Sequence, residues 1–116
     1  SAKEFQDKIT ELGNVVILDV RTPDEFKGGT IENAVNADIT SYDFTNVVQT
    51  LDKSTPVMVF CLSGGRSKDA AKALRNMGFN TVYELKGGIL KWNAENLPVV
   101  APEPAPAAAP LDRPNT

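Results

Sequence analysis

The chain has 116 residues, enough for one self-supporting domain, and its 41% hydrophobic and 23% charged content is ordinary for a globular fold. A net charge of -3 gives no general basic field for nucleic acid or an anionic membrane, so neither is expected as a partner and any anion site must be local. With one cysteine and no histidine, an internal disulfide and a Cys-His nucleophile pair are excluded, and no zinc site is expected.

In chain order, Ser1 is placed to cap a helix in which Phe5, Ile9 and Leu12 share a face and Gly13 closes the end. The run from Val15 to Val20 reads as a buried strand. Thr22-Pro-Asp-Glu25 is a capping box with proline at the first helical position, so a short helix follows at once and stops at Gly28 and Gly29. A short strand is expected over 34–37. A helix is expected over 41–51, where Phe44, Val47, Val48 and Leu51 recur at helical spacing. Val57 to Phe60 has the apolar, branched character of a strand covered on both faces. The pattern of Ala70, Ala71, Leu74 and Met77 predicts a helix over 67–76, ended near Gly78. Thr81 to Leu85 reads as a strand, and Lys86-Gly87-Gly88 turns into a short helix carrying Ile89 and Trp92, the latter expected as a core anchor.

Strand alternating with helix predicts an α/β fold, a mostly parallel sheet of four to five strands with helices on both sides in three layers. Residues 1–100 are expected to form that domain. Residues 101–116, rich in Pro and Ala, read as a tail or linker expected to be disordered. No segment is long or apolar enough to span a membrane. Cytoplasm is the default location, with an extracytoplasmic site after removal of a leader as the alternative.

The chemistry concentrates at Cys61-Leu-Ser-Gly-Gly-Arg-Ser67. Cys61 falls at the carboxyl end of a predicted strand, just before a helix amino terminus, where open parallel sheets bind ligands. Gly64 and Gly65 permit a turn whose N–H groups point inward, and Arg66 adds a planar cationic fork suited to oxyanions. A cysteine facing such a cup ionises more readily than the free thiol, whose pKa is about 8.5. Asp19 and Arg21 are expected to fix the turn into the Thr22 helix by pairing, and Lys86 to be a solvated surface lysine.

These pieces together are similar to the rhodanese family of sulfurtransferases. Leu18-Asp-Val-Arg21 with Glu25-Phe26 resembles the family's first signature, and Gly29 to Asn36 its second. Cys61 to Ser67 resembles the active loop, and Leu85-Lys-Gly-Gly88 with Trp92 the closing signature. The resemblance implies a rhodanese-like three-layer domain and a thiosulfate:cyanide-type reaction. Cys61 takes a sulfane sulfur from a donor such as thiosulfate, holds it as a persulfide, and passes it to a thiophilic acceptor such as cyanide. It makes Cys61 the catalytic residue and Leu62, Ser63, Gly64, Gly65, Arg66 and Ser67 the substrate-binding loop, with Arg66 helping to hold the donor's oxyanion. The implied partners are a small sulfur-containing anion and a thiophilic acceptor, with a protein sulfur acceptor as a further class. No metal and no organic cofactor is implied.

The second signature commonly has histidine where this chain has Thr30, a change expected to affect local packing more than chemistry. Leu62 places no charge beside the cysteine, where some thiosulfate-using members are basic. Two other functions compete. A cysteine phosphatase needs five residues between its cysteine and arginine, and here four separate Cys61 from Arg66, a cradle too small for a phosphoryl group. A non-catalytic module, binding a protein or carrying sulfur stoichiometrically, draws support from the Pro/Ala-rich tail.

Overall fold

The computed structural model describes residues 1–102. Its elements run α1 (Ala2–Leu12), β1 (Val16–Asp19), α2 (Pro23–Lys27), β2 (Val35–Asn36), α3 (Asp43–Val48), β3 (Val57–Phe60), α4 (Gly65–Asn76), β4 (Val82–Glu84) and α5 (Gly88–Ala94). Four strands form one sheet in the order β2-β1-β3-β4, and every pairing is parallel. The chain thus leaves β1 toward one edge and returns to place β3 on its other side. The crevice at the carboxyl ends of β1 and β3 is the switch point where such sheets receive ligands, and Cys61 follows β3 directly.

Both faces of the sheet are covered, which accounts for the unbroken apolar run of β3. Val57 and Val59 point to one side, against Phe44 and Val48 of α3 and Ala70, Ala71 and Leu74 of α4. Met58 and Phe60 point to the other, against Ala2 and Phe5 of α1 and Ile89 and Trp92 of α5. All four β3 side chains are fully buried, and burial of each contributes about 1.5–3 kcal/mol. Trp92 is the expected core anchor. It meets Phe5 edge-on with centroids 6.5 Å apart, and its indole N–H donates to the Pro98 carbonyl at 2.8 Å.

The predicted capping box forms at Thr22 with Glu25, and the cap expected at Ser1 forms as a capping box with Glu4. Two helix bounds differ from the sequence reading. α3 occupies only the middle of 41–51, because Ser41 and Asp38 fold the entry into a polar turn and Thr50 and Leu51 close the exit by tighter backbone bonds. α4 starts at Gly65, two residues before the predicted start at Ser67 and five before Ala70, the first apolar position of its pattern. The chain after α5 returns to the body of the fold, where Thr30 and Val100 exchange backbone hydrogen bonds at 2.9 and 2.8 Å. Of the predicted tail, residues 103–116 lie outside the described residues. Among the described residues no helix is long and apolar enough to cross a membrane.

Candidate active site

The loop after β3 is shaped from both ends. At its start, the carbonyls of Cys61 and Leu62 accept from the N–H groups of Ile89 and Leu90, at 2.9 and 3.1 Å, so the first turn of α5 fixes the chain as it leaves the sheet. That approach requires glycine at 88. A Cβ there would lie 2.2 Å from the Leu62 oxygen and 2.6 Å from the Cys61 oxygen, and φ is +63°. With these carbonyls turned toward α5, the Gly64 amide turns toward the sulfur. Gly64, at φ +119°, reverses the chain and donates its N–H to Cys61 Sγ at 3.0 Å.

Cys61 is 1% exposed and forms the floor of this cup, while Ser63 and Gly65 are exposed on its rim. The buried Ser67 hydroxyl lies 3.5 Å from Sγ and donates to the Gly64 carbonyl at 3.1 Å. Burial pushes the Cys61 thiol up. Hydrogen bonds from the Ser67 hydroxyl and from the amides of Ser67, Gly64 and Ser63 outweigh it, and the net shift is downward. The arrangement stabilises a thiolate without any histidine.

Arg66 is held elsewhere. Its Nη1 and Nη2 donate to the two carboxylate oxygens of Glu25 at 2.8 and 3.1 Å, a bidentate pair across 41 residues of sequence. Glu25 is fixed in turn by the α2 capping box, accepting from the Thr22 N–H and hydroxyl at 3.1 Å each. The Arg66 hydrogen bond, set against burial, holds the Glu25 carboxyl at about 2, well below its usual 4.5. Glu25 likewise raises Arg66, to which the Cys61 thiolate adds a smaller contribution.

Beneath the loop, Asp19 and Arg21 make the structural pair expected of them. Both are buried. The guanidinium reaches Asp19 at 2.7 Å and the Gly29 carbonyl at 2.7 Å, and stands 5.8 Å from the Phe60 ring centroid. Thr30, fully enclosed, donates to the same carboxylate at 2.9 Å, so its effect is on this packed network.

Of the residues singled out from sequence, Gly64 and Ser67 meet the Cys61 sulfur, and Ser63 stands exposed on the rim of the loop. Leu62 directs its carbonyl to α5 and its side chain to the Phe60 face of the sheet, and Arg66 directs its charge to Glu25. In the sequence Glu25 shows as a helix cap and part of the first signature, and Gly88 as a turn residue and part of the closing one. No local pattern marks the first as the arginine's partner, whereas the paired glycines at 87 and 88 were a signal of close backbone approach. Among the described residues no cluster of His, Cys, Asp and Glu could hold a metal ion.

Comparison with known proteins places the chain in a family. A sulfurtransferase of Allochromatium vinosum is 30% identical over 102 residues, which is 88% of this chain and 94% of that protein. The polysulfide-sulfur transferase homodimer of Wolinella succinogenes has a solution structure that superposes with a TM-score of 0.72 at 33% identity, covering 86% of this chain and 75% of that one. A tRNA uridine(34) hydroxylase of Pelagibacter ubique is 36% identical over 87 residues, 74% of this chain, but the match spans only 29% of the hydroxylase's length. The model of the rhodanese-like domain matches residues 1–95, and the chain belongs to the rhodanese family of sulfurtransferases.

Proposed function

We propose that the chain transfers sulfane sulfur through a persulfide on Cys61, with thiosulfate and cyanide as model donor and acceptor. The observation that carries this reading is a buried sulfur that accepts from the Gly64 N–H at 3.0 Å with the Ser67 hydroxyl 3.5 Å away, an environment that lowers the thiol's pKa. As the thiolate forms, the Ser67 hydroxyl can turn from the Gly64 carbonyl to the sulfur, since it has one proton to donate. The thiolate attacks the outer sulfur of thiosulfate, a new S–S bond forms, and the donor's S–S bond breaks with its electron pair leaving on sulfite. Cyanide then attacks the outer persulfide sulfur, thiocyanate departs, and the Cys61 thiolate is regenerated. The amides that hold the thiolate also receive the negative charge restored in the second step.

The hydroxylase relative shares with this chain only the rhodanese-like unit, and most of its length lies outside the match. The proposal therefore rests on the chemistry of this unit. A protein thiol or another macromolecular acceptor in place of cyanide would use the same persulfide. Intact-mass spectrometry after incubation with thiosulfate tests the reading. A gain of one sulfur, removed by cyanide and absent from Cys61→Ser, is the expected result. No gain with thiosulfate, polysulfide or an organic persulfide would overturn sulfur transfer and leave a binding role.

A further inference from the structure

We propose that the anionic end of the donor is held by Lys68 and Lys86, in the groove between the Gly64 turn and the Lys86-Gly87 turn. This rests on the sulfur-transfer reading and assigns it a donor class and two specificity residues. The groove has a volume of about 440 Å³ and is lined by Gly64, Lys68, Glu84, Lys86 and Gly87. Gly64 ties it to the chemistry, because the residue that lines the groove also donates to Cys61 Sγ at 3.0 Å. The two turns abut, since a Cβ on Gly64 would stand 3.4 Å from the Gly87 nitrogen.

The charges on the two flanks of the loop decide the direction. In the lysine groove, Lys68 and Lys86 are exposed and neither forms an ion pair among the described residues. The one acid there, Glu84, faces Arg75 at 3.8 Å. On the opposite flank, a hollow of about 220 Å³ is lined by Arg21, Asp24, Glu25 and Leu62. Arg21 is committed to Asp19, and Glu25 to Arg66, so the unbalanced charge there is the Asp24 carboxylate. An incoming anion is repelled from that side and attracted to the lysines.

The bidentate Arg66–Glu25 pair carries no net charge and closes one side of the loop, which makes Arg66 a positioning residue. Two exposed ammonium groups in a groove that shares Gly64 with the sulfur's cup suit a dianion whose charge sits on the end remote from the sulfane atom. Thiosulfate, thiosulfonates and polysulfide chains have that form. The sequence separates the two lysines by most of α4 and all of β4, which is why Lys86 alone reads as a solvated side chain.

The test uses the full chain and Lys68→Gln, Lys86→Gln and the double variant, all at exposed positions. The second-order rate of Cys61 persulfide formation from thiosulfate is measured at low and high salt, with alkylation by iodoacetate and iodoacetamide in parallel. The expected loss of loading rate is about tenfold for each lysine, greater in the double variant and smaller at high salt. Neutral iodoacetamide should react at the native rate, and iodoacetate more slowly. Native loading by the double variant would overturn the lysine assignment while leaving sulfur transfer intact. If the native chain forms no persulfide, sulfur transfer fails instead. The iodoacetate-to-iodoacetamide ratio then decides the groove, supporting it if lowered in the double variant and overturning it if unchanged.

Discussion

Gly88→Ala probes how the fold makes the cup. Gly88 has φ +63°, and a Cβ would meet Leu62 O at 2.2 Å, Leu62 C at 2.4 Å and Cys61 O at 2.6 Å. These are backbone atoms, so α5 or the loop must move. Gly13 is the matched control, with φ +72° and nothing within 4 Å of its Cβ position. Gly13→Ala should cost only its strained positive-φ conformation (φ +72°, ψ -66°), about 2 kcal/mol. Gly88→Ala should cost that plus about 1–3 kcal/mol of overpacking and the weakening of the Ile89 and Leu90 hydrogen bonds, a total of about 3–5 kcal/mol. Urea unfolding of both variants measures the difference, and the pH dependence of Cys61 alkylation measures the site. The account expects Gly88→Ala to lose more stability than Gly13→Ala and to raise the thiol pKa, because the displaced loop takes its amides away from Sγ. Equal midpoints and an unchanged titration would refute the claim that α5 shapes the loop.

Further outcomes follow from the same contacts. Ser67→Ala removes a hydroxyl 3.5 Å from Sγ, so the Cys61 pKa should rise and alkylation at neutral pH should slow, read by iodoacetamide kinetics. Glu25 titrates at about 2 in the fold against 4.5 unfolded, so its contribution is complete above pH 4.5 and is lost as the pH falls toward 2. Glu25→Gln should lower stability at neutral pH by about 1 kcal/mol, the worth of a half-exposed pair, and flatten the acid limb between those values in urea titrations. Asp19→Asn leaves the buried Arg21 charge uncompensated and should cost about 3–5 kcal/mol, with Asp19→Asn/Arg21→Met recovering part of it.

How much of this was legible in the sequence depended on how local the cause was. β3, the Ser1 cap and the Thr22 capping box were readable because burial on two faces and cap chemistry act over a few residues. The start of α4 at Gly65 was not, since glycine carries no helical signal and that turn is imposed by the loop. The cysteine's cup was anticipated from strand-end placement and the glycine turn. The destination of Arg66 was not, because its partner Glu25 is a helix cap from the opposite side of the crevice. Close approaches such as Gly88 against Leu62 belong to the packing of separate elements, and only their residue type shows in the sequence.

The central claim is that loop amides and the Ser67 hydroxyl hold Cys61 as a thiolate despite its burial. The rate of iodoacetamide alkylation of the single cysteine, followed from pH 5 to 10, tests it most directly. The account expects one inflection clearly below the free thiol's value of about 8.5. An inflection at or above that value would show that burial prevails over the cup, and the sulfur-transfer mechanism built on it would not stand.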